Sequence, residues 1–427
     1  MPGLSTSFRA GEVPTIAYLA NQFPSQVEPY VPAEIRELRS RGFRVIPSSA
    51  RFSNLRLDPA VKSFISETVY LQSLRPWLLV RAAWLCSQKS RRLKDLFTRI
   101  LIGGKEGPGR RVRALLHTWL GAYYALLLEG RGVKHIHVHH GYFASWIALV
   151  AARLLGVSFS ITLHGSDLLL HRAYLDTKLD NCSFCVTVSE FNRQHILEHF
   201  PSIRPEKIIV QHLGIASVAL HPNKSATRFP DSFVMLAVGR LHPVKDHAFL
   251  VRACRQLKSK GTNCLCLIAG EGQQRTQLER LIKDLDLQPE VELLGQLSRC
   301  QLDSYYALAD VVVLTSRSEG IPLVLMEAMA RSKVVLAPNI TGIPELVTDG
   351  QTGFLYRSGS LDEFVSRVQM IHESRADLAP ISAAAHQHVS QYFDRDKNLA
   401  SFGDLFLTRM GKRTQRESDE NPVLQQI

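Results

Sequence analysis

Short β-branched or apolar runs alternate with stretches of 3.6-residue apolar spacing along most of the chain. In the first half, Thr15 to Leu19, Phe43 to Ile46, His135 to Val138, Phe159 to Leu163, Phe184 to Val188 and Lys207 to Val210 read as strands. Pro29 to Arg41, Ala144 to Leu155 and Glu190 to His199 read as helices between them. The second half repeats the rhythm. Ser232 to Val238, Cys264 to Ala269, Val291 to Leu294, Val311 to Thr315 and Val334 to Ala337 read as strands, with helical spacing at Gln274 to Leu285 and Pro322 to Arg331. Strands this rich in apolar residues, separated by helices, imply α/β structure with mostly parallel sheets covered on both faces.

The pattern breaks in two places. Near Leu213 to Phe229, His221-Pro222-Asn223-Lys224-Ser225 and Phe229-Pro230 have the polar, Pro-containing chemistry of a linker. Two Rossmann-like domains in series are therefore expected, over residues 1–215 and 230–395, followed by a C-terminal helix and polar tail at 396–427. The other break is an insert in the first domain, at about residues 59–131, which reads as helical and is rich in Leu, Trp, Arg and Ala.

Composition narrows the class. With 427 residues, 45% hydrophobic and 21% charged, the chain can bury two sizeable cores. No run of 18 apolar residues occurs: Ala144 to Gly156 and Ala114 to Glu129 are too short or are broken by charge. Met1 to Pro14 lacks the apolar core of a secretory signal. Seven cysteines, an odd number scattered from Cys86 to Cys300, do not form a disulfide framework and suit a reducing compartment. A cytoplasmic location is expected. Cys182 and Cys185 form a CxxC without a second pair, as half-buried thiols would. His135 and His137 alternate with Ile136 and Val138 just before Gly141, which fits a buried strand ending at a loop, and no metal site is expected.

The net charge of +12 is unevenly placed. Residues 1–215 carry 27 Lys and Arg against 15 Asp and Glu, while residues 216–427 carry 24 of each. Arg75 to Arg113 alone holds eleven basic residues against Asp95 and Glu106. Such a segment could meet nucleic acid, an anionic membrane surface or an acidic substrate, and charge does not choose among them.

The most informative stretch is Ser316-Arg317-Ser318-Glu319-Gly320-Ile321-Pro322-Leu323-Val324-Leu325-Met326-Glu327-Ala328-Met329-Ala330. It follows a strand. Gly320 permits close ligand approach, and Pro322 suits the first position of a helix because it has no N–H to leave unpaired. A helix N-terminus then points amides outward at the carboxyl end of a parallel sheet, where a diphosphate is welcome. Glu319 sits before that terminus and Glu327 lies further inside.

The Glu, seven residues, Glu spacing resembles the E-x7-E signature of retaining family 4 glycosyltransferases of the GT-B fold. Gly342-Ile343-Pro344-Glu345-Leu346-Val347, Asp349-Gly350, Gly353-Phe354, Gly270-Glu271-Gly272 and Val238-Gly239-Arg240-Leu241 with Lys245 extend the match over residues 232–357. The resemblance implies two Rossmann-like domains facing across a cleft. It also implies that Arg240 and Lys245 bind the donor diphosphate, that Gly239 and Gly320, Ile321, Pro322, Leu323 and Val324 line the donor site, that Glu327 meets the ribose diol and that Glu319 contacts the sugar. The family usually places Gly-x-Pro after the Ala-Met-Ala helix, where this chain has Arg331-Ser332-Lys333. In the first half, Ile161-Thr162-Leu163-His164-Gly165-Ser166-Asp167 is similar to the family's His-containing loop, so His164 is expected beside the donor sugar. Phe23-Pro24, Glu28 and Glu34-Ile35 resemble an opening found among enzymes that build bacterial surface polysaccharides, although Val27 and Pro29 replace its Ser and Thr. Glu28 and Asp167 are thereby expected on the acceptor side.

The implied activity is transfer, with retention, of a sugar from a nucleotide diphosphate donor, expected to be UDP-linked, to a glycan or lipid-linked acceptor. No Asp-x-Asp stands at a strand end, which agrees with metal independence and no cofactor. Three alternatives stay open: a nucleotide-sugar 2-epimerase, a phosphorylase, or a basic nucleic-acid binder, the last resting on charge alone since no zinc finger, RNP-like strand or basic heptad region is present. In the insert, Trp77, Leu78, Leu79, Val80, Trp84 and Leu85 interleave with Arg, as in an interfacial amphipathic helix or as on the solvated basic face of a core helix. The first of these would dock the protein on an anionic membrane, where a lipid-linked acceptor is found.

Overall fold

The computed structural model describes residues 14–25, 28–52, 59–103, 106–169, 172–216 and 233–419, with the backbone alone at 59–61 and 411–419. The expected linker chemistry at 221–230, Val27, Lys105, the start of the chain at 1–13 and the polar end at 420–427 lie outside the described residues.

Two parallel sheets form. The first contains β1 (Thr15–Gln22), β2 (Arg44–Arg51), β3 (Val69–Tyr70), β4 (Val133–His139), β5 (Ser158–Leu163), β6 (Cys185–Thr187) and β7 (Ile208–Val210), in the order β3-β2-β1-β4-β5-β6-β7. The second contains β8 (Phe233–Val238), β9 (Cys264–Ala269), β10 (Val291–Gly295), β11 (Val311–Val313), β12 (Val334–Pro338) and β13 (Phe354–Tyr356), in the order β10-β9-β8-β11-β12-β13. The two-residue period of a strand divides each sheet's apolar residues between two layers. Ala17 and Leu19 enter one core while Ile16, Tyr18 and Ala20 enter another. Likewise Phe233, Met235 and Ala237 separate from Val234 and Leu236. Strands β3 and β13, of two and three residues, are too short for periodicity to announce. β11 ends at Val313, two residues before the expected Thr315, because the chain turns there into the loop that carries Glu319.

Contacts divide the chain into two compact units, one holding residues up to Val188, Arg193–Gln211 and everything from Lys397, the other Ser189–Asn192 and His212–Asp396. The helix Arg395–Asp419 thus belongs to the first unit from Lys397 onward. There Phe402 and Phe406 are buried with Tyr18 and Phe184, and Arg41 bonds Asp404 and the Ala400 carbonyl. This helix takes up most of the stretch 396–427 expected as a C-terminal helix and polar tail, running to Asp419.

The insert begins with helix Pro59–Glu67 and strand β3, which departs from the helical expectation, and continues as helices Pro76–Gln88, Ser90–Leu101 and Pro108–Leu128. Each of these last three buries one stripe: Leu78 and Ala82, then Leu93, Leu96 and Ile100, then Ala114, Thr118 and Ala122. All but Thr118 join the core over β4 together with helix Phe143–Leu155. No helix among the described residues is long and apolar enough to cross a membrane.

Candidate active site

Each sheet reverses its strand order at its centre, between β1 and β4 and between β8 and β11. Loops leaving the carboxyl ends of such strands part in opposite directions and open a crevice for ligands.

In the second unit, β8 runs into Gly239-Arg240-Leu241, and β9 into Gly270-Glu271-Gly272. The two loops touch backbone to backbone. A Cβ on Gly270 would lie 1.9 Å from the Gly239 oxygen, and one on Gly272 would lie 2.4 Å from the Leu241 oxygen. Only glycine fits there. The following turn, Pro243–Lys245, is capped by His242, whose Nδ1 accepts from the Val244 amide at 3.2 Å. It is stitched to the loop after β11: Thr315 Oγ1 donates to the Lys245 carbonyl at 2.9 Å, the Arg317 amide to the Val244 carbonyl at 2.8 Å, and Arg317 Nε to Asp246 Oδ2 at 2.7 Å.

This stitching brings Lys245 Nζ to 2.5 Å from Glu319 Oε1, with both side chains largely buried. Arg240 is exposed beside them and has no acidic partner among the described residues. Two buried hydroxyls of the same loop, Ser316 Oγ and Ser318 Oγ, have no hydrogen-bond partner. The helix that follows is Leu323–Ala330, with Pro322 as its N-cap and not its first residue. No side chain caps it and no acidic residue stands in its first turn. Its outward amides therefore keep their positive end for a ligand. Glu327 accepts from Tyr306 Oη at 3.1 Å, which orients its carboxylate. Gly320 is held close to the next loop, where a Cβ on Gly342 would lie 2.3 Å from the Gly320 oxygen. The structure thus places Gly239, Arg240, Lys245, Glu319, Gly320 to Val324 and Glu327 in the second unit, on loops and a helix at one end of its sheet.

In the first unit, the corresponding place holds a buried network. Tyr18 Oη donates to Glu34, and His139 Nε2 lies 2.9 Å from Glu34 Oε2. His139 Nδ1 lies 2.9 Å from His164 Nε2. Tyr18 Oη also lies 2.7 Å from His139 Nε2, and a neutral His139 that donates through Nε2 to the Glu34 carboxylate accepts at Nδ1 from His164 Nε2. Burial holds His164 well below the ordinary histidine range, assisted by His140 and His139, so it is a neutral imidazole stacked on Tyr30 at 4.7 Å. His140 is the opposite case. Burial would lower its pKa, but Asp167 and Glu28 outweigh burial and raise it to about 10. Its Nε2 lies 2.9 Å from Glu28 Oε1, while its Nδ1 is 3.5 Å from Asp167 Oδ2, an ion-pair distance.

Asp167, expected on the acceptor side, is fully buried, and its oxygens accept from the amides of Gly141 at 2.9 Å, Gly165 at 2.8 Å and His164 at 3.1 Å. Burial alone would raise its pKa, yet His140 and these amides hold it below the usual carboxylate range. Its role is to shape the His164 loop. Glu28 keeps one buried oxygen, Oε2, without a partner. Glu34, His137 and His139 present possible metal-ligand atoms within 4.8 Å of one another, but both His137 nitrogens already face Ser160 and Thr162, at 2.8 and 3.1 Å.

Sequence reasoning missed Tyr18, Tyr30, Glu34 and His139, as well as Glu345, which accepts from the Glu190 and Phe191 amides at 2.8 Å and so caps a helix start. A signal for part of this existed. The His135, His137, His139 alternation on β4 stands in register with Ser158, Ser160 and Thr162 on β5, a complementary polar stripe.

Comparison with known proteins points in one direction. Residues 80–217 match the family described as Glycosyltransferase Family 4, and residues 222–388 match Glycosyl transferases group 1. The amylovoran biosynthesis glycosyltransferase AmsK of Erwinia amylovora is 32% identical over 200 residues, 44% of this chain and 48% of that protein. The chain spans about half the length of the curated relatives it matches. Among solved structures, sucrose-phosphate synthase of Thermosynechococcus elongatus superposes with a TM-score of 0.72 at 16% identity, covering 93% of this chain and all of the other. HepE of Anabaena, solved with UDP-glucose, gives 0.65 at 20% identity, over 92% of this chain and 99% of its own. At such identities the superpositions establish the GT-B fold.

Proposed function

From the premise that the chain belongs to the family 4 glycosyltransferases, of the surface-polysaccharide type, we propose that it transfers a sugar, with retention, from a UDP-linked donor to a glycan or lipid-linked acceptor hydroxyl. The observation that carries this reading is the Lys245–Glu319 pair beside exposed Arg240 and an uncapped helix start. As the glycosidic bond breaks, the leaving diphosphate gains negative charge. Arg240, Lys245 and the amides from Gly320 to Val324 supply fixed positive potential where that charge develops, which is the most effective place for it. Glu319 meets the sugar hydroxyls and the oxocarbenium-like centre, Glu327 the ribose diol, and the leaving phosphate helps to deprotonate the acceptor. In the first unit neutral His164, held by His139 and Glu34, is the hydrogen-bonding partner of the donor sugar. UDP as the nucleotide is supported by the fold neighbour HepE, solved with UDP-glucose. Because the cations and helix dipole can carry the diphosphate, the reading expects activity without a metal ion or cofactor.

Thermal stabilisation by a panel of UDP-, GDP- and ADP-sugars tests the donor. UDP-sugars should raise the melting temperature and be hydrolysed slowly without acceptor, while stabilisation by none would overturn the proposal.

The acceptor's setting follows from the insert. Trp77, Val80 and Trp84 share one face of helix Pro76–Gln88 at 56%, 71% and 61% exposure, while Leu78 and Ala82 face the core. Arg81 lies 5.6 Å above the Trp77 ring, and Val112 and Leu116 are exposed on helix Pro108–Leu128. Exposed indoles beside arginines suit the interface of an anionic membrane, on which the protein is proposed to dock peripherally. Arg92 is committed elsewhere, donating to the Arg153 and Leu154 carbonyls at 3.2 and 3.3 Å. The informative variant is therefore W77S/W84S. It should lose sedimentation with phosphatidylglycerol vesicles, and retention at the wild-type level would refute docking.

A further inference from the structure

The first unit contains a cavity of about 810 Å³. It opens between Asn21 at the end of β1, Gly141 to Phe143 beyond β4, the start of helix Pro108–Leu128, and the Ala173-Tyr174 turn. That volume is in the range of small-molecule sites. Arg51, Arg110, Arg113 and Lys178 line it, and no Asp or Glu does.

The basic insert divides in two here. Some of its arginines are used by the fold: Arg99 pairs with Glu106 and Asp176, and Arg111 donates to the Glu106 and Leu101 carbonyls. Arg110 and Arg113 have no acidic partner among the described residues and border the cavity. They also stand in the first two turns of helix Pro108–Leu128, which has no acidic residue in its first turn. Cations at the positive end of a helix are unfavourable, and a bound anion offsets that cost.

Two further features point to a ligand. Tyr174 is 4% exposed and borders the cavity, yet its hydroxyl has no hydrogen-bond partner among the described residues; buried hydroxyls are nearly always satisfied. Asn21 Oδ1, also buried and without a partner, is an acceptor for a ligand hydroxyl. The walls are otherwise aromatic, with Phe143 5.1 Å beneath the Arg51 guanidinium and Trp146 packed against Tyr174 at 4.9 Å. The cavity is braced by Lys178, 3% exposed, whose Nζ donates to the carbonyls of Gly141 at 2.7 Å, Ala173 at 2.9 Å and Tyr142 at 3.2 Å. Burial lowers its pKa to about 7 against the pull of Asp167, Asp176 and Glu106, so an incoming anion would favour its charged form.

Resting on the transferase reading, we propose that this cavity binds the phosphate or diphosphate of an anionic acceptor, with Arg51, Arg110 and Arg113 as counter-charges and Tyr174 Oη as a hydrogen-bond donor. The acceptor's sugar then sits toward Asn21 and its carrier extends over the aromatic wall. The same chemistry could be borne by a lipid diphosphate or by a soluble sugar phosphate.

Calorimetric titration of the full chain, held in excess UDP so that a diphosphate site in the second unit is occupied, tests this. Inorganic pyrophosphate and farnesyl diphosphate should both bind the wild type, and R110A/R113A should weaken each by about ten- to a hundredfold. Both arginines are exposed, and an unchanged melting temperature verifies that the variant is folded. Tighter binding of farnesyl diphosphate than of pyrophosphate assigns a lipid carrier, whereas equal affinity, matched by glucose 1-phosphate, assigns a soluble one. Absence of binding to the wild type, or equal binding by the double variant, would overturn the proposal. If UDP alone fails to bind, the transferase reading falls instead, and the difference between wild type and R110A/R113A still reports on the cavity.

Discussion

The switch point between β8 and β11 takes its side chains from two contiguous stretches, Gly239 to Lys245 and Glu319 to Glu327. The one between β1 and β4 draws on Glu28, Glu34, His139, His140, His164 and Asp167, scattered across the first unit's chain. Both sheets share the same order around their centres, so the strands do not account for the difference. In the second unit the fold supplies an ion pair, an exposed arginine and an uncapped helix, groups available to a charged ligand. In the first, most polar atoms are buried and already committed to one another, and the outcome is one neutral imidazole held between His139 and Tyr30. One region is built to meet charge and the other to hold geometry.

The largest effect expected from this contrast is on turnover. Lys245→Ala and Glu319→Gln should each lower transfer by about 10²- to 10³-fold, as loss of one preorganised charge partner does, with little change in melting temperature. Asp167→Asn should lower activity too, but with a drop of several degrees in melting temperature, since it leaves three backbone amides poorly matched in a buried place. Steady-state kinetics beside calorimetric melting separates the cases. Full activity in both second-unit variants would end the assignment, and an unaltered melting temperature in Asp167→Asn would erase the contrast.

A smaller effect is expected in the pH dependence. His140 has a folded pKa raised to about 10 from an ordinary 6.5, so its contribution to stability is complete below about pH 6.5 and is lost as pH rises toward 10. Asp167 is lowered, so its contribution is present above its ordinary 3.8 and is lost as pH falls further. The contribution of this pair should therefore be fullest between about pH 4 and 6.5, while His164 and Lys178, both lowered by burial, contribute with the opposite sign. Over pH 6.5 to 9.5 the slope of melting temperature against pH should therefore run more steeply downward in the wild type than in His140→Gln. A slope equally steep in the variant would show that other groups carry it.

The same contrast decides what the sequence could reveal. The α/β alternation, both sheets' long strands and the loop that follows β11 were legible, because each is written in neighbouring residues: strand β8 in Phe233 to Val238, the loop in Glu319 to Glu327. The bonds of Asp167 were not legible, because they reach the amides of Gly141 and Gly165, which no local pattern connects to it. Glu34 enters the sequence reading only through the Glu34-Ile35 resemblance, and its partners stay hidden until β1 brings Tyr18 and β4 brings His139 against it. The anion cavity was visible only as a surplus of arginine, since composition cannot tell Arg99, paired with Glu106, from Arg113, which is not.

The smallest predicted effect concerns the one place where the donor half departs from the family's pattern. Helix Leu323–Ala330 ends with the Ser332 amide bonded to the Met329 carbonyl at 2.9 Å and the Lys333 amide to the Ala328 carbonyl at 3.0 Å. This pair of bonds requires a left-handed residue after the cap, a position that glycine favours. Here it is Ser332, at a φ of 54°. A side chain in that region costs about 1–2 kcal/mol, of which glycine's greater unfolded-state freedom takes back part. Ser332→Gly should thus stabilise the second unit by about 0.5–1 kcal/mol and raise its melting temperature by about 2–4 °C, with UDP affinity unchanged because the turn lies at the far end of the helix from Gly320. An unchanged or lower melting temperature would show that Ser332 makes contacts that offset its backbone, and that this departure from the family's pattern carries no cost.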